Sequence, residues 1–178
     1  MRSTEPTRTL TCMEVWGGNQ AADAGVSMPG LDVWVYARPH AGDEEGGDIH
    51  YVSSCATGRI TRLLLADVSG HGQSAASFAV VLRDLMRRFV NYPDQKKVVR
   101  SLNRAFADQV EDGRFATAVV VSYLGPSRDC TVVNAGHPRP LLFRADEATW
   151  ATLEPAEAGD DVANIPLGIT ESRYDQLQ

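Results

Sequence analysis

One carboxylate stands at the end of an apolar run and directly before a glycine-rich turn. Residues 63–66 are apolar, Asp67 follows, and Gly70 and Gly72 come shortly after it. Such a run predicts a buried strand that presents Asp67 at its tip, and the glycines let the backbone turn sharply and approach a bound ion closely. A carboxylate in this setting is typical of a site for a hard divalent cation.

A second carboxylate, Asp48, follows two glycines and precedes another predicted strand. Two carboxylates from neighbouring strands can converge on one point, and Mg²⁺ and Mn²⁺ prefer oxygen ligands, including backbone carbonyls and water. We therefore expect Asp48, Asp67 and the carbonyl oxygen of Val68 to form a metal site. On spacing alone an alternative is equally open, in which Asp67 caps a helix that begins near Ser74.

Two histidines and one arginine lie near these turns or near the ends of predicted strands. His71 and His137 have no second His or Cys at metal-ligand spacing, which argues against zinc, and each is predicted to make local hydrogen bonds. Arg38 stands on the loop side of a predicted strand. There it could meet a phosphate group of a substrate, although an exposed arginine is usually a solvated charge.

Length and composition indicate one globular domain and exclude several classes of protein. The chain has 178 residues, of which 43% are hydrophobic and 22% are charged, so it can bury a core of ordinary size. A net charge of -6 argues against nucleic-acid binding. No apolar stretch approaches the length of a membrane span, and the first residues lack a signal-peptide pattern, so we expect no membrane association and a cytoplasmic location. Three widely spaced cysteines predict reduced thiols.

The elements that must position these residues follow the order strands, two helices, strands. Residues 1–30 are predicted to form a leader or edge element with a turn at 17–19, and residues 31–178 to form the domain proper. Two helices are predicted, one from Ser74 to Tyr92 and one that Asp94 caps and that ends at 112–113. Strands are predicted at 31–37, 48–54, 59–66, 115–124, 130–135 and 140–144. Segregated strands and helices predict an α+β fold of antiparallel sheets with the helix pair on an outer face.

Five segments, taken in order, resemble the signatures of one family. They are Gly46-Gly47-Asp48, residues 67–72 with Ser74-Ala75-Ala76, Phe115-x-Thr117, Asn134-Ala135-Gly136-His137-Pro138-x-Pro140 and Pro166-Leu167-Gly168-Ile169. The family is the stage II sporulation protein E and sigma-B regulator branch of bacterial metal-dependent protein serine/threonine phosphatases, within the type 2C superfamily. The resemblance extends from Leu31 to the C-terminus.

This resemblance implies an αββα sandwich and hydrolysis of phosphoserine or phosphothreonine esters. Two Mn²⁺ or Mg²⁺ ions would bridge and activate a water. Asp67 would bridge both ions, the Val68 carbonyl would bind one of them, and Asp48 would bind a metal ion or a metal-bound water. The implied substrate is a phosphoprotein such as an anti-sigma-factor antagonist.

The family pattern continues beyond the Pro-Leu-Gly-Ile segment to a Thr-Asp-Gly strand and a final acidic ligand, which do not occur before Gln178. We therefore expect a domain that is incomplete at its C-terminus, with an incomplete second metal site. A sheet edge would be open to pairing, and a homodimer could form there or through the helices. The alternative function is a catalytically impaired phosphatase-like module that binds a phosphoprotein or another partner. A third alternative treats Asp67 as a helix cap and both histidines as turn residues.

Overall fold

Ten strands and two helices form the fold in a computed structural model, which describes residues 8–40, 43–55, 57–70, 72–110, 113–153, 164–170 and 174. The helices are α1 (Gly72–Phe89) and α2 (Gln95–Ala107). The strands are β1 (Arg8–Thr9), β2 (Val15–Gln20), β3 (Ala22–Met28), β4 (Leu31–Ala37), β5 (Glu45–Ser54), β6 (Ile60–Val68), β7 (Ala116–Leu124), β8 (Asp129–Ala135), β9 (Leu141–Arg144) and β10 (Thr149–Thr152).

A five-stranded antiparallel sheet is the centre of the molecule, with the strand order β2-β5-β6-β7-β8. Strands β6 and β7 pair along their whole length, from Ile60 opposite Leu124 to Val68 opposite Ala116. Apolar residues occur on both faces of β7, as expected for a strand that is covered on both sides. Both predicted carboxylates, Asp48 and Asp67, lie on strands of this sheet.

Both helices pack on one face of this sheet and form the larger core with it. Asp94 caps α2 as predicted, because its side chain accepts a hydrogen bond from the backbone N–H of Lys97 at 3.1 Å. Val98, Leu102 and Phe106 of α2 are fully buried in the core. Their spacing of four residues along the helix places them on one side, and this side faces the sheet.

A buried guanidinium joins the central sheet to the connection between the helices. Arg62 of β6 donates hydrogen bonds to the carbonyl oxygens of Val90 and Tyr92 and to Ser122 Oγ at 3.0 Å. Burial lowers the pKa of Arg62 to about 10. The bonds satisfy backbone oxygens where α1 ends, since the last carbonyls of a helix have no partner within it.

The opposite face of the central sheet is covered by a three-stranded sheet with the order β1-β3-β4. A smaller core lies between the two sheets, and it includes Val26, Met28 and Val52 with Leu63 packed against it. Strands β9 and β10 form a separate hairpin. The described residues thus form a helix layer, a central sheet and a second sheet, and the predicted α+β fold of antiparallel sheets with an outer helix pair is confirmed.

Three local predictions are wrong. The predicted turn at 17–19 lies within β2, where pairing with β5 overrides the turn preference of two glycines and a register shift accommodates the segment. The Gly46-Gly47-Asp48 segment lies inside β5, not before it, because β5 pairs with β2 and β6 along these residues. The second helix ends at Ala107, several residues before the predicted stop.

Residues before 31 contribute strands to both sheets, and the predicted division of the chain at residue 30 stays a prediction. Among the described residues, neither helix combines the length and the apolar character that crossing a bilayer requires.

Candidate functional site

Asp48 and Asp67 face each other across two neighbouring strands. Asp48 of β5 is the direct register partner of Asp67 of β6. Side chains that are directly opposite in an antiparallel pair lie on the same face, with Cβ atoms about 5 Å apart. Both side chains are exposed, whereas Ala66 and Val68 on either side of Asp67 are buried. The predicted pair of carboxylates is therefore brought together at one end of the central sheet.

The two carboxylates repel each other. Burial raises the pKa of Asp67, the nearby charge of Asp48 raises it further, and His137 lowers it. Like charges directly opposite in a sheet destabilise the folded state. A bound cation would relieve this repulsion, which is the electrostatic property that a metal site requires.

Gly47 leaves space for the third predicted ligand, the carbonyl oxygen of Val68. A Cβ atom at Gly47 would lie 3.0 Å from this oxygen and 3.6 Å from Oδ1 of Asp67. Two oxygens of the predicted ligand set therefore lie beside the same glycine. The alternative in which Asp67 caps a helix is wrong, because Asp67 lies within β6 and α1 begins only at Gly72.

A cavity of about 200 Å³ opens at this end of the molecule, where residues from both sheets line it. Asp48 and Asp67 contribute from the central sheet, and Arg38 contributes from the segment that follows β4. Three of the four predicted site residues, Arg38, Asp48 and Asp67, thus line one cavity, and the carbonyl oxygen of the fourth, Val68, lies beside Gly47, which also lines it. Of the remaining candidates, His71 lies outside the described residues.

Sequence reasoning missed the part that Thr117 and His137 play in this arrangement. Thr117 of β7 is the register partner of Asp67, so Asp48, Asp67 and Thr117 form a row across three strands. Thr117 Oγ1 lies 2.8 Å from Nδ1 of His137. Burial lowers the pKa of His137, whereas Asp67 and Asp48 raise it. Both residues belong to segments that carried the family resemblance, but no chemistry was assigned to them.

The donor set fits a hard divalent cation. Two carboxylates and a backbone carbonyl are oxygen ligands, and Mg²⁺ usually takes one or two carboxylates and keeps several waters. Within the part of the chain that the structure describes, no three His, Cys, Asp or Glu side chains lie close enough to hold one ion together. The three cysteines, Cys12, Cys55 and Cys130, are free thiols.

Comparison with known proteins identifies related sequences and folds. The family model for stage II sporulation protein E (SpoIIE) matches residues 57–177. This range contains Asp67, Val68, Thr117 and His137, whereas Arg38 and Asp48 precede it.

Three solved structures share the fold. The structure of the RsbU and RsbW domains of Rv1364c from Mycobacterium tuberculosis is 24% identical, with a TM-score of 0.64, and the match covers 95% of this chain and 41% of that one. RsbX in complex with magnesium is 16% identical, with a TM-score of 0.59 and coverage of 92% and 64%. The PP2C phosphatase domain of SpoIIE from Bacillus subtilis is 16% identical, with a TM-score of 0.57 and coverage of 94% and 43%. The chain spans less than two thirds of the length of each.

Proposed function

The chain belongs to the SpoIIE family, and on this premise we propose that it is a metal-dependent phosphatase that hydrolyses phosphoserine or phosphothreonine on a regulatory phosphoprotein. The observation that carries the proposal is the direct pairing of Asp48 with Asp67 at the mouth of the inter-sheet cavity. Two repelling carboxylates at an exposed position weaken the fold, and a function that needs divalent cations explains them.

The position of each site residue determines its proposed role. Asp67, in the middle of the row of Asp48, Asp67 and Thr117, would hold the metal ions, the Val68 carbonyl would bind one of them, and Asp48 would bind a metal ion or a metal-bound water. Mn²⁺ or Mg²⁺, when bound, supplies a water of lowered pKa and polarises the phosphoryl group. Arg38 also lines the cavity, and its guanidinium would bind and orient phosphoryl oxygens.

The cavity favours a phosphorylated side chain over a larger ligand. Its volume of about 200 Å³ lies below the roughly 300–1,000 Å³ of sites that enclose drug-sized molecules. A phosphoserine or phosphothreonine side chain on a folded protein could enter it while the rest of the substrate stays outside. The proposed substrate is a cytoplasmic phosphoprotein such as an anti-sigma-factor antagonist, because the chain belongs to the SpoIIE family.

The test is hydrolysis of p-nitrophenyl phosphate and of a phosphoserine peptide by the 178-residue chain, with and without Mn²⁺ or Mg²⁺. We expect hydrolysis to depend on the metal and to fall by at least about 100-fold in the Asp67→Asn variant. Asp32→Asn is the matched control, because Asp32 is an exposed carboxylate of β4 outside the cavity. Metal-independent hydrolysis, or equal loss in both variants, would refute the proposal.

A second function is a phosphatase-like module that binds a phosphoprotein without turnover. The observation in its favour is that, among the described residues, no third Asp, Glu, His or Cys side chain joins Asp48 and Asp67 in a group that could hold a metal ion. Calorimetric titration with Mn²⁺ separates the two functions. Tight binding of two ions with turnover supports the enzyme, whereas millimolar binding without turnover supports the module.

A further inference from the structure

His137 is held at the same end of the sheet as the two carboxylates. Its Nδ1 lies 2.8 Å from the hydroxyl of Thr117, and Thr117 stands directly opposite Asp67. The electrostatic influence between His137 and both Asp67 and Asp48 indicates that the imidazole is near this pair. The half-buried ring therefore lies next to the row of Asp48, Asp67 and Thr117.

The backbone around His137 is fixed by a second set of contacts. The Asn134 side chain accepts a hydrogen bond from the backbone N–H of His137 and donates one to its carbonyl oxygen, both at 2.8 Å. Gly136 has a φ of 70°, and a Cβ atom there would lie 2.5 Å from Pro166. Asn134 and Pro166 thus restrain the backbone of this turn, and the hydrogen bond to Thr117 restrains the ring of His137.

The imidazole does not complete a metal site with the carboxylates. Among the described residues no three potential ligand side chains are close enough to share an ion, and His137 forms no ion pair with Asp48 or Asp67 within 4.0 Å. If the Thr117 hydroxyl donates to Nδ1, the ring proton resides on Nε2. Nε2 has no hydrogen-bond partner in the described part of the chain, so it is a donor for a ligand.

Resting on the proposed function, we propose that His137 donates a hydrogen bond from Nε2 to a phosphoryl oxygen of the substrate, and that Thr117 is the positioning residue that orients the ring. Asp48 and Asp67 would hold metal ions, and these ions would attract the phosphoryl anion. The His137 imidazole, which lies near the two carboxylates without being a metal ligand, would then be close enough to donate a hydrogen bond to that anion. The bond supplements Arg38, which approaches from the other sheet. Together the two donors would hold the phosphoryl group between the sheets.

The experiment measures inorganic phosphate binding by calorimetry in the presence of saturating Mn²⁺. Asn and Gln variants of His137 form a matched pair, because the Gln amide nitrogen reaches the position of Nε2 and the Asn amide nitrogen reaches that of Nδ1. We expect His137→Asn to weaken phosphate binding roughly 10- to 100-fold, the range for a hydrogen bond to a charged group, and His137→Gln to restore most of it. Affinity for Mn²⁺ should stay within about threefold in both, because neither variant alters an oxygen ligand.

Thr117 offers a second matched pair. Thr117→Val keeps the shape but removes the hydroxyl, and we expect phosphate binding to weaken about tenfold. Thr117→Ser keeps the hydroxyl and should bind phosphate as the unaltered chain does. In the unaltered chain, added phosphate should shift the ¹⁵Nε2 resonance of His137 but not that of His50, which is buried beside Trp16.

The outcomes separate this inference from the proposed function. If Mn²⁺ binds but phosphate affinity is unchanged in His137→Asn, or the Nε2 resonance does not respond to phosphate, the role of His137 is refuted and the proposed function stands. If His137→Asn loses Mn²⁺ affinity as well, the residue is a metal ligand and the inference is also refuted. If the unaltered chain binds no Mn²⁺, the proposed function fails, and this inference fails with it. If a variant does not fold, the response of the His137 Nε2 resonance to phosphate in the unaltered chain tests the inference.

Discussion

The substitution Gly47→Ala tests whether the end of β5 is built around the proposed metal ligands. The added Cβ would lie 3.0 Å from the carbonyl oxygen of Val68, 3.6 Å from Oδ1 of Asp67 and 3.6 Å from the Cβ of Ala75. The backbone of Gly47 does not need glycine, because its φ is not in the left-handed region. The effect of the methyl group is therefore confined to what it contacts.

Only the contact with the Val68 oxygen is too close. A separation of 3.0 Å requires the oxygen or the strand to move by a few tenths of an ångström, whereas the two contacts at 3.6 Å are ordinary. Modest overpacking of this kind costs about 1 kcal/mol, which corresponds to a fall of about 2–4 °C in the unfolding midpoint of a domain of this size. Mg²⁺ and Mn²⁺ tolerate little displacement of their ligands, so we expect Mn²⁺ affinity to fall roughly tenfold or more.

The assay combines thermal unfolding in EDTA with calorimetric titration of Mn²⁺. Gly46→Ala is the matched control, because a Cβ on the neighbouring glycine would lie 3.7 Å from Pro39 and 3.8 Å from the backbone nitrogen of Asp48, both ordinary distances. This variant should keep both its unfolding midpoint and its Mn²⁺ affinity. If Gly47→Ala binds Mn²⁺ as tightly as Gly46→Ala does, the Val68 carbonyl is not a ligand and the reasoning is refuted.

Three further predictions concern charge and burial. Because Asp48 repels Asp67, the Asp67→Asn variant should have a higher thermal unfolding midpoint than the unaltered chain in EDTA. Added Mn²⁺ should no longer raise the midpoint of this variant. A lower midpoint in EDTA would contradict the repulsion. Arg62→Leu leaves the buried carbonyl oxygens between the helices without hydrogen-bond donors, so the free energy of unfolding measured in urea should fall by about 3 kcal/mol. An unchanged free energy of unfolding would contradict the role of Arg62 as their donor. For Cys55, burial raises the thiol pKa but hydrogen bonds, first from Thr57, lower it from 9.0 to about 7 in the folded state. The unfolded chain then binds more protons between these values, so the free energy of unfolding should rise from pH 7 to pH 9 in the unaltered chain more than in Cys55→Ala.

The sequence allowed part of the site to be predicted because local patterns determine it. The apolar run before Asp67 and the glycines after it indicate a strand end, and the structure ends β6 at Val68. The Thr117–His137 contact could not be predicted in this way. It depends on the register of β7 against β6 and on the path of the chain after β8, which bring together two residues that are 20 positions apart. A strand register is set by the whole sheet, and no local pattern encodes it.

The same distinction explains why the sequence predicts Gly17 in a turn and Gly47 before a strand, whereas both lie within strands. A turn prediction rests on the conformational freedom of glycine, but both residues are strand positions where a side chain would meet a carbonyl oxygen. A Cβ on Gly17 would lie 2.1 Å from the oxygen of His50, and one on Gly47 would approach that of Val68. Glycine is used at these places for the close approach of neighbouring backbones, which only the folded sheet creates.

Two features at this end of the sheet weaken the fold when they are considered without a ligand: Asp48 and Asp67 repel each other, and Gly47 supplies no side chain to pack. The side-chain amide of Asn134, in contrast, makes two hydrogen bonds that restrain the backbone of His137. At this end of the sheet lie the two carboxylates, the Val68 carbonyl beside Gly47, and the imidazole of His137 beside Thr117. Cations satisfy the first three and a phosphoryl anion satisfies the last, so one phosphorylated ligand with its metal ions accounts for all of them. A helix cap or a structural turn would account for one feature and leave the others unexplained.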